Sequence, residues 1–172
     1  MLSYQTLDSI ADAYIPLLAF VAIAFIIVAL IRKEWQLAVR RFFSVLSGLG
    51  IAYGLMFIDN ALRIWSRQGL DYSTHTAVAL VLITFLVFCS KPLSLLWLGS
   101  FATYVLLMLY QGYHTVADII STVAVVGALN WVAMPHIMGK RPKPQPNAVK
   151  TVPAILALFL IQFCLLFLIE SS

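Results

Sequence analysis

AYIPLLAFVAIAFIIVALIR, residues 13–32, carries no charge before its final Arg. About 20 residues of α-helix, rising 1.5 Å each, cross the ~30 Å hydrocarbon core of a bilayer. A helix satisfies its own backbone hydrogen bonds there, where water cannot. The stretch therefore predicts a membrane-spanning helix. It is too long for the apolar core of a cleavable signal, and no positive charge precedes it.

Five more apolar runs follow, at roughly 42–60, 72–90, 93–111, 115–137 and 152–170. The chain is 62% hydrophobic and 10% charged. A soluble domain of that composition would expose large apolar patches. The expectation is an all-α integral membrane protein: residues 1–172 as one domain of six transmembrane helices in one bundle. Residues 1–12 are weakly amphipathic and fit an interfacial helix. Cys89 and Cys164 lie inside apolar runs and read as small core hydrophobes rather than a disulfide. In the second run, Gly50 and Gly54 form a small-xxx-small pair, with Ser44, Ser47 and Gly48 before it, a pattern that lets helices approach closely.

The distribution of charge orients the bundle. Nine of the 11 Lys and Arg fall in the connections 32–41, 90–92 and 138–151, which six spans place on one face. The other face holds Arg63 and Arg67. The positive-inside rule assigns the basic face to the cytoplasm. Both termini and the connections 59–75 and 110–118 then face outward, to the periplasm or the extracellular side of a plasma (inner) membrane. The net charge of +4 is thus a matter of topology and does not imply nucleic-acid binding.

That outward face gathers the polar residues that chemistry needs. In YQGYHTVAD, residues 110–118, His114 and Asp118 stand four apart, which on a helix puts them on one side. The carboxylate would hold one ring nitrogen of His114 and leave the other as a nucleophile. In DYSTHTAV, residues 71–78, His75 opens another apolar run behind the capping candidates Asp71, Ser73 and Thr74. Helix starts present N–H groups that favour anions, and Arg67 adds a fixed cation for phosphate. The set describes phosphoryl transfer: His114 attacks phosphorus, Asp118 orients it, and His75 protonates the leaving oxygen. Taken singly, each His reads as an interfacial or packed residue, and Arg63 and Arg67 as snorkelling side chains. The conjunction on one face favours the site. His136 falls on the opposite face and has no assigned role. No cluster has metal-ligand spacing, so no metal or other cofactor is expected.

These residues resemble the type-2 phosphatidic acid phosphatase family, membrane relatives of the vanadium haloperoxidases. That family's third motif is Ser-Arg, five residues, His, three residues, Asp, and Gly112-x-His114-x-x-x-Asp118 matches its second half. Its second motif, Pro-Ser-Gly-His, is matched at Ser73 and His75 of Tyr72-Ser73-Thr74-His75. Its first, Lys, six residues, Arg-Pro, is best fitted by Asn60, six residues, Arg67-Gln68. Leu107-Met108 stand where the family has Ser-Arg, Asn60 replaces the Lys and Gln68 the Pro, so two of three cationic phosphate ligands are absent. The resemblance implies six spans and a phospho-histidine at His114. It implies phosphate ligands among Arg67, Ser73, Thr74 and Asn60, with Arg63 as a substitute cation. The expected partner is a phosphorylated membrane lipid: phosphatidate, phosphatidylglycerol phosphate, a polyprenyl phosphate or pyrophosphate, or a lipid A phosphate. The expected activity is its hydrolysis. Two alternatives stay open: transfer of a phospho-headgroup to another alcohol, as in the related sphingomyelin synthase branch, and an inactive member that binds or carries lipid. Oligomeric state is not readable.

Overall fold

A computed structural model describes residues 4–139. Five α-helices account for most of it: α1 (Tyr4–Ile31), α2 (Trp35–Leu62), α3 (Thr74–Cys89), α4 (Ser94–Tyr110) and α5 (Val116–Met138). Short 3-10 turns occupy Ser66–Gln68 and Lys91–Leu93. The first five expected spans are thus helices within a few residues of their predicted limits, except at the N-terminal ends of α1 and α2. The sixth run, 152–170, and the basic residues Lys140, Arg141, Lys143 and Lys150 lie outside the described residues.

α1, α2 and α5 are long and apolar enough to cross a bilayer, as is α4 with the turn before it. The interfacial segment expected at 1–12 is instead the beginning of α1 from Tyr4 onward. At 28 residues α1 is about 42 Å long and exceeds the hydrocarbon core. α2 also begins early, so Arg40 and Arg41 stand on its first turns rather than in a loop.

α3 is the centre. It packs against α1, α2, α4 and α5. Its sequence THTAVALVLITFLVFC is apolar on every side, as a helix surrounded by others must be. Ala77, Ala79, Val81, Ile83, Phe85 and Leu86 are essentially inaccessible. With 16 residues it is about 24 Å long, short of a full crossing. The helices around it show their large side chains outward: Phe20, Ile23, Phe57, Leu106, Ile120 and Trp131 are all exposed. An apolar exterior around a packed core suits a helix bundle solvated by lipid.

Close approach of α2 to this core depends on Gly48. A methyl group there would sit 2.5 Å from Val81 Cγ1 and 2.9 Å from Asn130 Oδ1. With Ser44 and Ala52 it forms a buried small-residue stripe at a spacing of four. Gly50 and Gly54, the pair that the sequence suggested, would meet nothing within 4 Å among the described residues. Among the described residues, the small-residue contact of α2 is made by the Ser44–Gly48–Ala52 face.

Short connections make consecutive helices antiparallel, and the bundle has two distinct ends. One gathers the start of α1, the connection 63–73 and the connection 111–115. At the other, Arg41 Nη1 donates to the Phe25 carbonyl at 2.6 Å and its guanidinium lies over the Phe25 ring. Arg40 Nη1 there approaches the Met138 carbonyl at 3.5 Å. His136 is exposed at that second end.

Candidate functional site

The connection 63–73 is folded onto the bundle. Arg63 ends α2 in the left-handed region, φ +52°. Trp65 then turns inward: its backbone N–H donates to Asp59 at 2.8 Å, and its indole N–H donates to Ser121 on α5 at 3.0 Å. Tyr72 packs edge-on against Trp65 and donates to the Ala52 carbonyl at 2.8 Å. These two buried aromatics fix both ends of the segment, so that Asp71 meets the start of α5.

Asp118 is the hub of that meeting. Its Oδ1 accepts the backbone N–H of Asp71 at 2.7 Å. Its Oδ2 accepts the Thr115 N–H at 2.8 Å and the Thr115 hydroxyl at 2.7 Å. The Thr115 hydroxyl oxygen accepts the Asp118 N–H in turn, which completes a capping box. Ser73 ties the same joint from the other side, its N–H donating to Thr122 Oγ1 at 3.2 Å.

The helix face expected to be shared by His114 and Asp118 is not formed. α5 begins at Val116 with Thr115 as its N-cap, so His114 precedes the helix and shares no helical face with Asp118. The Asp118 carboxylate, buried at 5% exposure, is occupied by Asp71 and Thr115. The carboxylate that faces His114 is Asp71: its Oδ2 lies 3.4 Å from His114 Nδ1, within ion-pair reach though not aligned as a hydrogen bond. The His114 side chain is 12% exposed and that of Asp71 73%. Spacing alone marks Asp71 as a capping candidate and nothing more. The N-cap signature Thr-x-x-Asp at 115–118 was the signal that would have removed His114 from the helix and freed this partnership to be seen.

The turn that delivers His114 is a complete Schellman motif. Tyr113 N–H bonds to the Met108 carbonyl at 3.3 Å and Gly112 N–H to the Leu109 carbonyl at 3.1 Å. Gly112 takes φ +72°, a conformation that side chains disfavour. The glycine two before His114 is therefore explained by chain reversal.

Ser73, expected as a phosphate ligand, has its hydroxyl engaged inside the protein. It is fully buried and caps α3: its hydroxyl donates to Thr76 Oγ1 at 2.7 Å, and its oxygen accepts the Thr76 N–H at 3.4 Å. Thr74 and His75 are the first two residues of α3, half-buried and exposed respectively. Asn60, Arg63 and Arg67 are all exposed, on the last turn of α2 and in the connection after it. Met108, at the position of the family's Arg, is buried in the core, and Leu107 lines a cavity between α1 and α4. Among the described residues, no three His, Cys, Asp or Glu side chains gather as ligands for a metal ion.

The arrangement thus brings His114 against Asp71 and joins the starts of α3 and α5, with His75, Arg63 and Arg67 exposed on the neighbouring segments. In comparisons with known proteins, no family model, no curated protein and no solved structure matches the chain.

Proposed function

We propose that this chain is a membrane lipid phosphatase that works through a phospho-histidine at His114. The observation that carries the reading is a nearly buried imidazole whose Nδ1 faces a carboxylate, at the helix-start end of α3 and α5. A carboxylate at Nδ1 selects the tautomer that leaves Nε2 unprotonated and nucleophilic. In the first step the Nε2 lone pair attacks phosphorus, the phosphorus–oxygen bond to the lipid breaks, and protonated His75 gives its proton to the leaving oxygen. In the second, water attacks the phospho-histidine, His75 takes back a proton, and phosphate leaves with His114 restored. Arg63 and Arg67 supply positive charge, with Thr74 and Asn60 as neutral donors beside them.

The proposal includes six spans, with the second-end basic residues in the cytoplasm and the site facing the periplasm or extracellular side. A site at a membrane edge suits a substrate whose phosphate lies at the interface and whose tail lies in the bilayer. Phosphatidate, phosphatidylglycerol phosphate, polyprenyl phosphates and lipid A phosphates all meet that description. An alcohol in place of water in the second step would make the protein a phosphotransferase.

One observation favours a second reading. The position of the family's phosphate-binding Arg is Met108, turned into the core. A site short of cations holds phosphate weakly, and a lipid-binding protein without turnover would need no more. The test is phosphate release by detergent-purified protein from a panel of lipid phosphates, with EDTA present. Release abolished by His114→Ala supports the phosphatase. Lipid binding without release supports the second reading, and release undiminished in His114→Ala removes His114 as nucleophile.

A further inference from the structure

We propose that Asp8, in the early turns of α1, is a positioning residue for His114. The proposal rests on the reading of His114 as nucleophile. Asp8 Oδ1 accepts the Gln111 side-chain N–H at 3.3 Å and also the Tyr113 hydroxyl. These donors flank Gly112, and Tyr113 is the residue immediately before His114. One carboxylate oxygen therefore holds the entry to the His114 turn, while the Asp118 capping box holds its exit. The connection 111–115 that carries the imidazole is fastened on both sides by acids from different helices.

The hold from α1 is concentrated at this point. Deeper in the bundle, α1 meets α4 through the stacked rings of Tyr14 and Tyr104, 4.4 Å between centroids, and through the Tyr14–Ser100 hydroxyl contact at 3.0 Å. Alongside that contact the two helices leave a cavity of about 300 Å³, lined by Tyr14 and Tyr104 themselves with Ile10, Ala13, Leu17 and Leu107 among others. The hydrogen bonds to Asp8 Oδ1 join α1 directly to the turn and so set how firmly α1 grips it. A nucleophile must be aligned with phosphorus, and loosened alignment lowers the rate of the chemical step more than substrate affinity.

The test combines kinetics with amide hydrogen exchange on the full-length protein in detergent. Asp8→Ala is expected to lower kcat about tenfold with KM changed less than about twofold, and to speed exchange at 111–115 while the helix interiors keep their protection. Asp8→Asn keeps an acceptor oxygen and should recover most of the rate. Tyr113→Phe added to Asp8→Ala should cost nothing further, because both remove the same contact. Unchanged kcat and unchanged exchange in Asp8→Ala would overturn the proposal, as would additive losses in the double variant. If Asp8→Ala loses protection throughout, Tyr113→Phe decides, since it removes the hydroxyl contact with Asp8 and leaves α1 intact. If the wild type releases no phosphate, the phosphatase reading falls. Exchange at 111–115 then decides whether Asp8 holds the turn.

Discussion

The start of α3 and the start of α5 are built from the same parts and put to different uses. Each has an acid, a hydroxyl N-cap and a histidine within five residues: Asp71, Ser73 and His75 in one, His114, Thr115 and Asp118 in the other. At α3 the acid stands before the cap and the histidine after it. At α5 the order is reversed. A residue inside the first turn is fixed by the helix, whereas a residue before the cap is free to turn toward a neighbour. So the first-turn acid, Asp118, is buried and spends its oxygens on backbone N–H groups, while the acid before the cap, Asp71, faces His114. Likewise His75 is exposed on a rigid turn, and His114 is tucked into the joint. For the two acids, position relative to the N-cap decides which is committed to backbone N–H groups and which faces a histidine.

The largest effect should separate the histidines. His114→Ala removes the proposed nucleophile and should abolish phosphate release, a loss above about 10³-fold. His75→Ala removes only acid–base assistance and should retain a residue of activity, reduced about 10²- to 10⁴-fold. Initial rates on a phenyl phosphate and on a lipid phosphate sharpen this comparison: a phenolate leaves without a proton, so His75→Ala should suffer less on the aryl ester. Equal losses on both substrates would break the distinction between nucleophile and acid.

The acids should divide the other way. Asp118→Ala removes the capping box and leaves the Asp71 N–H without its acceptor, a cost of about 2–4 kcal/mol that thermal unfolding in detergent would register. Asp71→Asn should leave the unfolding temperature nearly unchanged and lower kcat roughly 10- to 100-fold. That is less than the ~10⁴ lost with a buried, hydrogen-bonded triad carboxylate, because Asp71 is open to water and imperfectly aligned. If Asp118→Ala proved stable and Asp71→Asn fully active, the division of labour proposed for the two helix starts would be wrong. The smallest effect concerns the caps: Ser73→Ala should cost about 1 kcal/mol of stability and leave KM unchanged, since its hydroxyl is committed to Thr76. A raised KM would restore it as a phosphate ligand.

Five helices were legible from the sequence because a bilayer demands long apolar runs, although α1 and α2 begin before theirs and Pro16 and Pro135 lie inside helices. The central place of α3 was not read, though its lack of any polar face is the physical signature of a helix enclosed on all sides. The buried stripe Ser44–Gly48–Ala52 was within reach too. Gly50 and Gly54 have the better-known spacing, but Gly48 is the glycine that meets Val81 and Asn130, residues far away in the chain. The site was half legible. His114, His75 and Arg67 stand out as rare polar residues among apolar runs. The link between Asp71 and His114 is a contact across 43 positions, made by Trp65 and Tyr72 folding the α2–α3 connection down, and no local spacing encodes it.

The account turns on a covalent bond between phosphorus and His114. Purified protein is incubated briefly with a ³²P-labelled lipid phosphate that it hydrolyses, quenched in alkali where phospho-histidine survives, and digested for mapping. The account predicts label on the peptide that contains His114, lost in His114→Ala and accumulating in a variant slowed in the second step, such as His75→Ala with an aryl phosphate. Rapid phosphate release with no label on His114 at any time, or label that persists in His114→Ala, would contradict it.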